Sequence, residues 1–350
     1  MNTLTLDLAK LQPNYENLQS AFPRAKIYYA VKANPNPEVI KTLITLGSSF
    51  DIASKEEFNL VHSLGAKVEN ISFGNPVKTE DAIRSTLNAG VSLYSFDSRE
   101  ELDKIRRHGT PSVICRIRIN EKFKAQWPLT KKFGCEVSEA IENIEYATAI
   151  GLNPIGVSFH VGSQQLEIEA WKHAIEKVLP IYEKFPKLTI LNIGGGFPVE
   201  YTCPISPISE YGRRISEWVS NQLPRCTIFL EPGRYMTGNI GTIETSVVLF
   251  AKRKEENWVY LNTGVFGGLM ETLNESIKYR LEFPDSNSAT FVEAILAGPT
   301  CDSTDIMYTA MVPETLKPGE RIRILNTGAY TYSYCSICFN GFPELDVKIL

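Results

Sequence analysis

An amine, an imidazole, a carboxylate and a glycine triplet stand at the ends of apolar runs in this chain of 350 residues. Lys32 closes the run Tyr28-Tyr29-Ala30-Val31 and is followed at once by Ala33-Asn34-Pro35. A partly desolvated lysine at a strand end loses its proton more readily than a surface lysine and can attack a carbonyl. The bland alternative is a lysine that snorkels to water. His160, in Gly156-Val157-Ser158-Phe159-His160-Val161-Gly162-Ser163, stands between an apolar run and a glycine turn. Its ring can cover a flat ligand there or be satisfied in the core. Gly194-Gly195-Gly196 removes Cβ atoms where backbone amides would approach a phosphate, and Arg234 can add a bidentate contact to it. By itself such a triplet is more often a tight turn. Glu231 can set a carboxylate beneath a pyridine-type ring nitrogen or pair with Arg234.

These residues need strands that end on one rim. Strand-like segments fall at 26–31, 49–52, 71–73, 92–96, 112–119, 154–159, 188–193 and 227–230, with amphipathic helix patterns such as 55–64, 79–88 and 98–107 between them. The last of these helices is entered by Asp97 or Ser98 as a cap. Eight such units predict a (β/α)8 barrel, whose chemistry gathers at the carboxyl ends of its strands. Lys32, His160, the glycine triplet and Glu231 with Arg234 all follow predicted strands.

After about residue 240 the pattern changes to β-branched and aromatic runs at 242–251, 258–261 and 321–325, broken by Gly and Pro. We expect a barrel over 8–240 and a mainly antiparallel β domain over 241–350, with residues 1–7 able to join it. The polar stretch 282–290 reads as a turn or surface loop.

A formal net charge of -4 and a charged fraction of 22% give no broad basic surface for nucleic acid or anionic membrane. Neither a secretion signal nor an apolar span of membrane length is evident, so a cytoplasmic location is expected. The seven cysteines and four histidines lack the spacing of paired metal ligands, so no metal centre is expected. Cys335 and Cys338 have the spacing of a redox dithiol but lie in an aromatic stretch, where plain packing is the better reading.

Nine motifs in order carry a resemblance: Tyr29-Ala30-Val31-Lys32, Phe50-Asp51-Ile52-Ala53-Ser54, Lys132-Phe133-Gly134, the segment Ser158 to Ser163, Gly194-Gly195-Gly196-Phe197-Pro198, Glu231-Pro232-Gly233-Arg234-Tyr235, Gly298-Pro299-Thr300-Cys301-Asp302, Gly328-Ala329-Tyr330 and Phe339-Asn340-Gly341-Phe342. The chain resembles the fold type III, alanine racemase-like, pyridoxal-phosphate decarboxylases of basic amino acids, nearest the ornithine decarboxylase group. The resemblance implies pyridoxal 5'-phosphate as cofactor, joined to Lys32, with Asp51 behind that lysine. It implies Glu231 on the ring nitrogen, His160 stacked on the ring and Arg116 on the side of the phenolic oxygen. Ser163, Gly194, Gly195, Gly196, Arg234 and Tyr330 would hold the phosphate.

The same resemblance implies a homodimer with shared active sites. Cys301 would protonate the α-carbon in the partner's barrel, and Asp302 would meet the substrate's distal cation. One position departs from the family: the turn Asn262-Thr263-Gly264 carries Thr263 where the family's ornithine enzymes have an acidic residue. That puts ornithine itself in doubt and leaves a modified or conjugated amino acid open. A racemase on the same fold would use a tyrosine base from the β domain, against which the Cys301-Asp302 pair argues. A catalytically silent regulatory homologue would have lost the lysine or the phosphate ligands, all of which are present.

Overall fold

The structure, a computed structural model, describes residues 2–119, 123, 125–128 and 132–350. The chain forms two compact units, Gln12–Pro198 with Ser206–Met236, and Met1–Leu11 with Val199–Ile205 and Thr237–Leu350. The expected boundaries shift accordingly: residues 8–11, 199–205 and 237–240 group with the β unit and not with the barrel.

The chain opens with β1 (Thr3–Leu6), which belongs to the β unit. Among the described residues of the first unit, eight parallel strands then close a barrel: β2 (Lys26–Ala30), β3 (Ser49–Ile52), β4 (Ile71–Phe73), β5 (Leu93–Phe96), β6 (Ser112–Arg116), β7 (Asn153–Ser158), β8 (Ile190–Asn192) and β9 (Thr227–Leu230). Pairing of Lys26 with Phe229 and of Ile27 with Leu230 seals the cylinder. Helices α1 (Leu11–Ala21), α2 (Pro37–Thr45), α3 (Lys55–Ser63), α4 (Glu80–Asn88), α5 (Arg99–His108), α6 (Val137–Ala149), α7 (Glu169–Lys184) and α8 (Ile208–Gln222) alternate with these strands. A short α9 (Arg234–Thr237) follows β9.

Local chemistry explains where these helices begin. Ser54, Thr79 and Ser98 each accept a hydrogen bond from a backbone amide three residues on, and Glu or Asp follows in each first turn. Of the two caps expected for α5, Ser98 is the one used.

The strands bury one face against the helices and turn the other into the barrel. Tyr28, Ile114 and Phe229 pack together inside it with Leu93, Ile155 and Ile190, so the interior is a filled core and not a channel. The rings of Tyr28 and Phe229 lie 5.1 Å apart. Chemistry is thereby confined to the rim above this layer.

The second unit is a sheet in the order β12–β15–β10–β11–β13–β14, with β1 on β10 and β16 on β1. Its strands are β10 (Gly241–Arg253), β11 (Glu256–Leu261), β12 (Leu281–Glu282), β13 (Phe291–Ala297), β14 (Ile306–Pro313), β15 (Arg321–Leu325) and β16 (Asp346–Ile349). Most pairs are antiparallel, whereas β11 with β13 and β1 with β16 are parallel. Among the described residues no helix is long and apolar enough to cross a membrane.

Candidate active site

The barrel rim is built from the turns that end the strands. Strand β2 stops at Ala30, whose amide donates to Pro232 O at 3.0 Å, and residues Val31–Ala33 form a 3₁₀ turn. Tyr29 Oη donates to Asn34 O at 3.0 Å, and Asn34 Oδ1 accepts the Asn36 amide at 3.0 Å. Pro35 and Pro37 prevent the strand from continuing, and Asn36 caps α2. The sequence reading had Lys32 end a buried strand with its amine partly desolvated. In the structure it rides this turn, two residues past the strand, and is exposed. Its charge nonetheless acts on the rim: burial raises the carboxyls of Asp51 and Glu57 and Lys32 works against that rise, and behind burial and Arg116 it opposes protonation of His160.

Asp51 lies opposite Ala30 in the β2–β3 register and is 4% exposed. Burial pushes its carboxyl well up, and the nearby charge of Glu231 adds to this, while Lys32 and a hydrogen bond from Ser72 Oγ at 3.2 Å work against it. A Cβ on Gly74 would come within 2.1 Å of Asp51 Oδ1, so glycine just past β4 leaves the room that the carboxylate occupies. Arg116 ends β6. Burial lowers its guanidinium pKa, and the negative charges of Glu231, Asp51 and Asp97 raise it back.

Glu231 follows β9 and is fixed by its neighbour strand. Its Oε1 accepts Asn192 Nδ2 at 2.5 Å, its amide donates to Gly194 O at 2.8 Å, and Asn192 Oδ1 accepts the Gly194 amide at 2.9 Å. Arg234, 3% exposed, turns its Nε and Nη2 to Ser163 Oγ at 3.2 and 3.0 Å.

The glycine triplet is a close-approach device. Gly194 and Gly196 have φ of 67° and 99°, and added Cβ atoms would lie 2.4 Å from Phe159 O at 194, 2.4 Å from Glu231 O at 195 and 2.5 Å from Gly162 O at 196. His160, two residues past β7, stands beside this turn: its Cε1 is 3.4 Å from that Gly196 Cβ position. Burial, then Arg116 and Lys32, push its pKa well down, so the ring is a neutral imidazole. Its Nδ1 is buried and meets no hydrogen-bond partner among the described residues. An unsatisfied ring nitrogen, a buried arginine beside a serine hydroxyl and a turn stripped of Cβ atoms together fit a phosphorylated heteroaromatic ligand.

Three residues of the barrel support the rim without having been expected at it. Glu57 stands three residues after the cap Ser54, the Ser-x-x-Glu spacing of a helix start, and its Oε2 accepts the amide of Ala53, the residue before that cap, at 2.7 Å. That pattern was available in the sequence. No motif marks Asn192, and Asp97, expected only as a possible cap of α5, instead takes the Gly134 amide on its Oδ2 at 2.8 Å and so anchors the turn after Lys132-Phe133. Gly134 has φ 88°, and a Cβ there would sit 2.7 Å from Arg118 N.

The remaining predicted residues belong to the β unit. Tyr330 has φ 57° and its ring lies 5.8 Å from that of Tyr334. Thr263 is 2% exposed and its hydroxyl donates to Gly267 O at 3.3 Å. Asp302 Oδ1 accepts the amide and hydroxyl of Thr304 at 2.8 and 2.7 Å, which lowers its pKa. Cys301 is exposed. Asp305, unmarked in the sequence reading, fastens the Cys301 loop: its carboxylate accepts the Thr300 amide and hydroxyl and the Val265 amide at 3.0, 2.7 and 2.8 Å.

Residues 8–238 match the family model described as the pyridoxal binding domain of pyridoxal-dependent decarboxylases. A lysine/ornithine decarboxylase of Selenomonas ruminantium is 33% identical over 347 residues, covering 97% of this chain and 87% of that protein. Antizyme inhibitor 2 of Xenopus laevis is 32% identical over 369 residues, covering 97% and 79%. The crystal structure of the Paramecium bursaria Chlorella virus arginine decarboxylase bound to agmatine superposes with a TM-score of 0.91 at 29% identity, over 100% of this chain and 97% of that one.

Proposed function

The chain belongs to the pyridoxal-dependent decarboxylases, and we propose that it converts a basic L-amino acid to the corresponding amine and carbon dioxide as a cytoplasmic homodimer. The observation that carries this reading is the convergence on one barrel rim of Lys32, Asp51, Arg116, His160 and Glu231 with the Ser163–Arg234 and glycine-turn cup. At comparable identity, one relative is named an antizyme inhibitor and another a lysine/ornithine decarboxylase. The intact rim favours the enzyme.

Pyridoxal phosphate, when bound, supplies a ring that draws electrons from the substrate's α-carbon. Lys32 would tether it through its amine. Gly194 to Gly196, Ser163 and Arg234 would hold its phosphate. Glu231, fixed by Asn192, would keep a positive charge on the ring nitrogen, and Arg116 would face the phenolic oxygen. His160, neutral, would cover the ring without adding a competing cation. Asp51 and Glu57 share the field of Lys32, whose charge favours their ionised forms against the burial that opposes them. Cys301 of the opposite subunit delivers a proton to the α-carbon, and Asp302 pairs with the distal cation. Thr263 offers no charge at that end, so the distal group rests on one carboxylate where the family's ornithine enzymes use two.

Purified protein should be yellow, and Lys32→Ala should remove both the colour and at least about 1000-fold of the carbon dioxide release, the order expected when a covalent catalytic group is lost. A panel of ornithine, lysine, arginine and conjugated diamino acids identifies the substrate. Carbon dioxide from none of them, with racemisation of any, would overturn the proposal. Mixing Lys32→Ala subunits with Cys301→Ala subunits, neither of which forms amine at the parent's rate, regenerates one intact site per heterodimer; no recovery of amine formation on mixing would exclude shared sites.

A further inference from the structure

One side chain holds Cys301 at two points. The Cys301 amide donates to Asn340 Oδ1 at 3.0 Å, and Asn340 Nδ2 donates to Cys301 Sγ at 3.4 Å. The loop that presents Asn340 is conformationally specialised: Cys338, Asn340 and Gly341 have φ of 69°, 51° and 74°. Asparagine is among the residues that accept this left-handed region at low cost, and such backbone is maintained when surrounding contacts dictate it. Those contacts are present. The Ser336 amide donates to Phe266 O at 2.9 Å, the Phe339 ring packs on Phe266 at 4.5 Å, and the Gly341 amide donates to Cys338 O at 2.9 Å.

The thiol is therefore suspended between two anchors, Asp305 behind Thr300 and Asn340 at the sulfur itself. A donor aimed at sulfur occupies one of its lone pairs and turns the S–H away from the amide, toward the exposed side of the residue. The same N–H stabilises negative charge on sulfur once its proton has left. Neither effect is needed to fold an exposed loop.

We propose that Asn340 is a positioning residue for proton delivery by Cys301, setting the direction of the S–H and accepting part of the charge that remains on sulfur. This rests on the reading of Cys301 as the acid. In normal turnover the α-carbon gains one proton as carbon dioxide leaves, and amine and carbon dioxide form in equal amounts. When that proton goes instead to the cofactor, amino acid, cofactor aldehyde and one proton yield carbon dioxide, a substrate-derived aldehyde and the aminated cofactor.

The test uses the holoenzyme and three variants, Asn340→Ala, Asn340→Asp and Cys301→Ala. Asn340→Asp keeps an acceptor for the Cys301 amide but removes the donor to sulfur, so it separates holding the loop from acting on the thiol. We expect both Asn340 variants to keep the cofactor absorbance, to alkylate with iodoacetamide at the Cys301 peptide several-fold more slowly than the parent, and to release carbon dioxide in excess of amine. Parent-like alkylation and a one-to-one ratio in Asn340→Asp, with a disturbed ratio in Cys301→Ala, would refute the role of Asn340 alone. A one-to-one ratio in Cys301→Ala would remove the acid itself, and the inference with it.

Discussion

Two carboxylates of the barrel rim and two of the β unit are displaced in opposite directions. On the barrel rim, burial pushes Asp51 and Glu57 up, and Asp51 also faces the charge of Glu231. In the β unit, hydrogen bonds from Arg321 pull the exposed Asp285 down to about 2, and those from Thr304 lower Asp302. The first group costs the folded chain stability in its charged form, whereas the second contributes to it. The difference locates function. A site that must present charge to a ligand keeps it poorly solvated beforehand, and the rest of the molecule offsets that cost.

Not every buried charge in the barrel belongs to the rim's chemistry, and the largest predicted effect tests that distinction. Lys78 is fully buried, its pKa brought down to about 8 by burial; its Nζ lies 3.0 Å from Glu101 Oε1 and donates to Ser95 O at 2.6 Å and Asn75 O at 2.8 Å. Lys78→Met leaves Glu101 with Lys104 alone and should cost about 3–5 kcal/mol in urea unfolding, the range for breaking a buried pair. Cofactor absorbance in the folded fraction should be unchanged. Gly195→Ala should do the converse on a smaller scale. Its Cβ would meet Glu231 O at 2.4 Å, so we expect about 1–3 kcal/mol of destabilisation together with weakened cofactor binding, measured by titration of the apoprotein. If Gly195→Ala bound cofactor normally, the close approach of the turn to Glu231 would not be part of the site.

How far this contrast could be read beforehand depended on the residue. The barrel strands were legible because each is a short apolar run followed by an amphipathic helix, and β3, β4 and β9 have the expected bounds. In the β unit β15 was equally clear, but β13 and β14 were not, since their buried and exposed positions do not alternate regularly. Lys32 was found by its place in the sequence, yet its exposure was not, because that follows from a 3₁₀ turn set by Asn34 and two prolines. Asn192 and Asp97 look like ordinary polar residues until β8 and β9, or Asp97 and Gly134, are brought together. Pairwise electrostatics of this kind has no local signature.

Asp51→Asn separates stability from function on the rim. Its raised folded pKa means the native state binds more protons than the unfolded state above the ordinary aspartate range, so the parent loses stability as pH rises through that window. Apo Asp51→Asn should melt above the parent at pH 8, with the gap closing toward pH 4, while its turnover falls. A variant less stable than the parent at pH 8 would show that Lys32 and Ser72 outweigh burial. Asp285→Asn should reverse every sign at the smallest scale. The Asp285 contribution is complete above its unfolded pKa near 3.8 and is lost as pH falls toward about 2, so the variant should melt slightly below the parent at pH 7 and equally at pH 2. Because both Asp285 and Arg321 are reached by solvent, 1 M salt should shrink the pH 7 difference, whereas the Asp51 difference should largely survive it. Equal salt sensitivity at the two sites would mean that burial is not what divides the rim from the β unit.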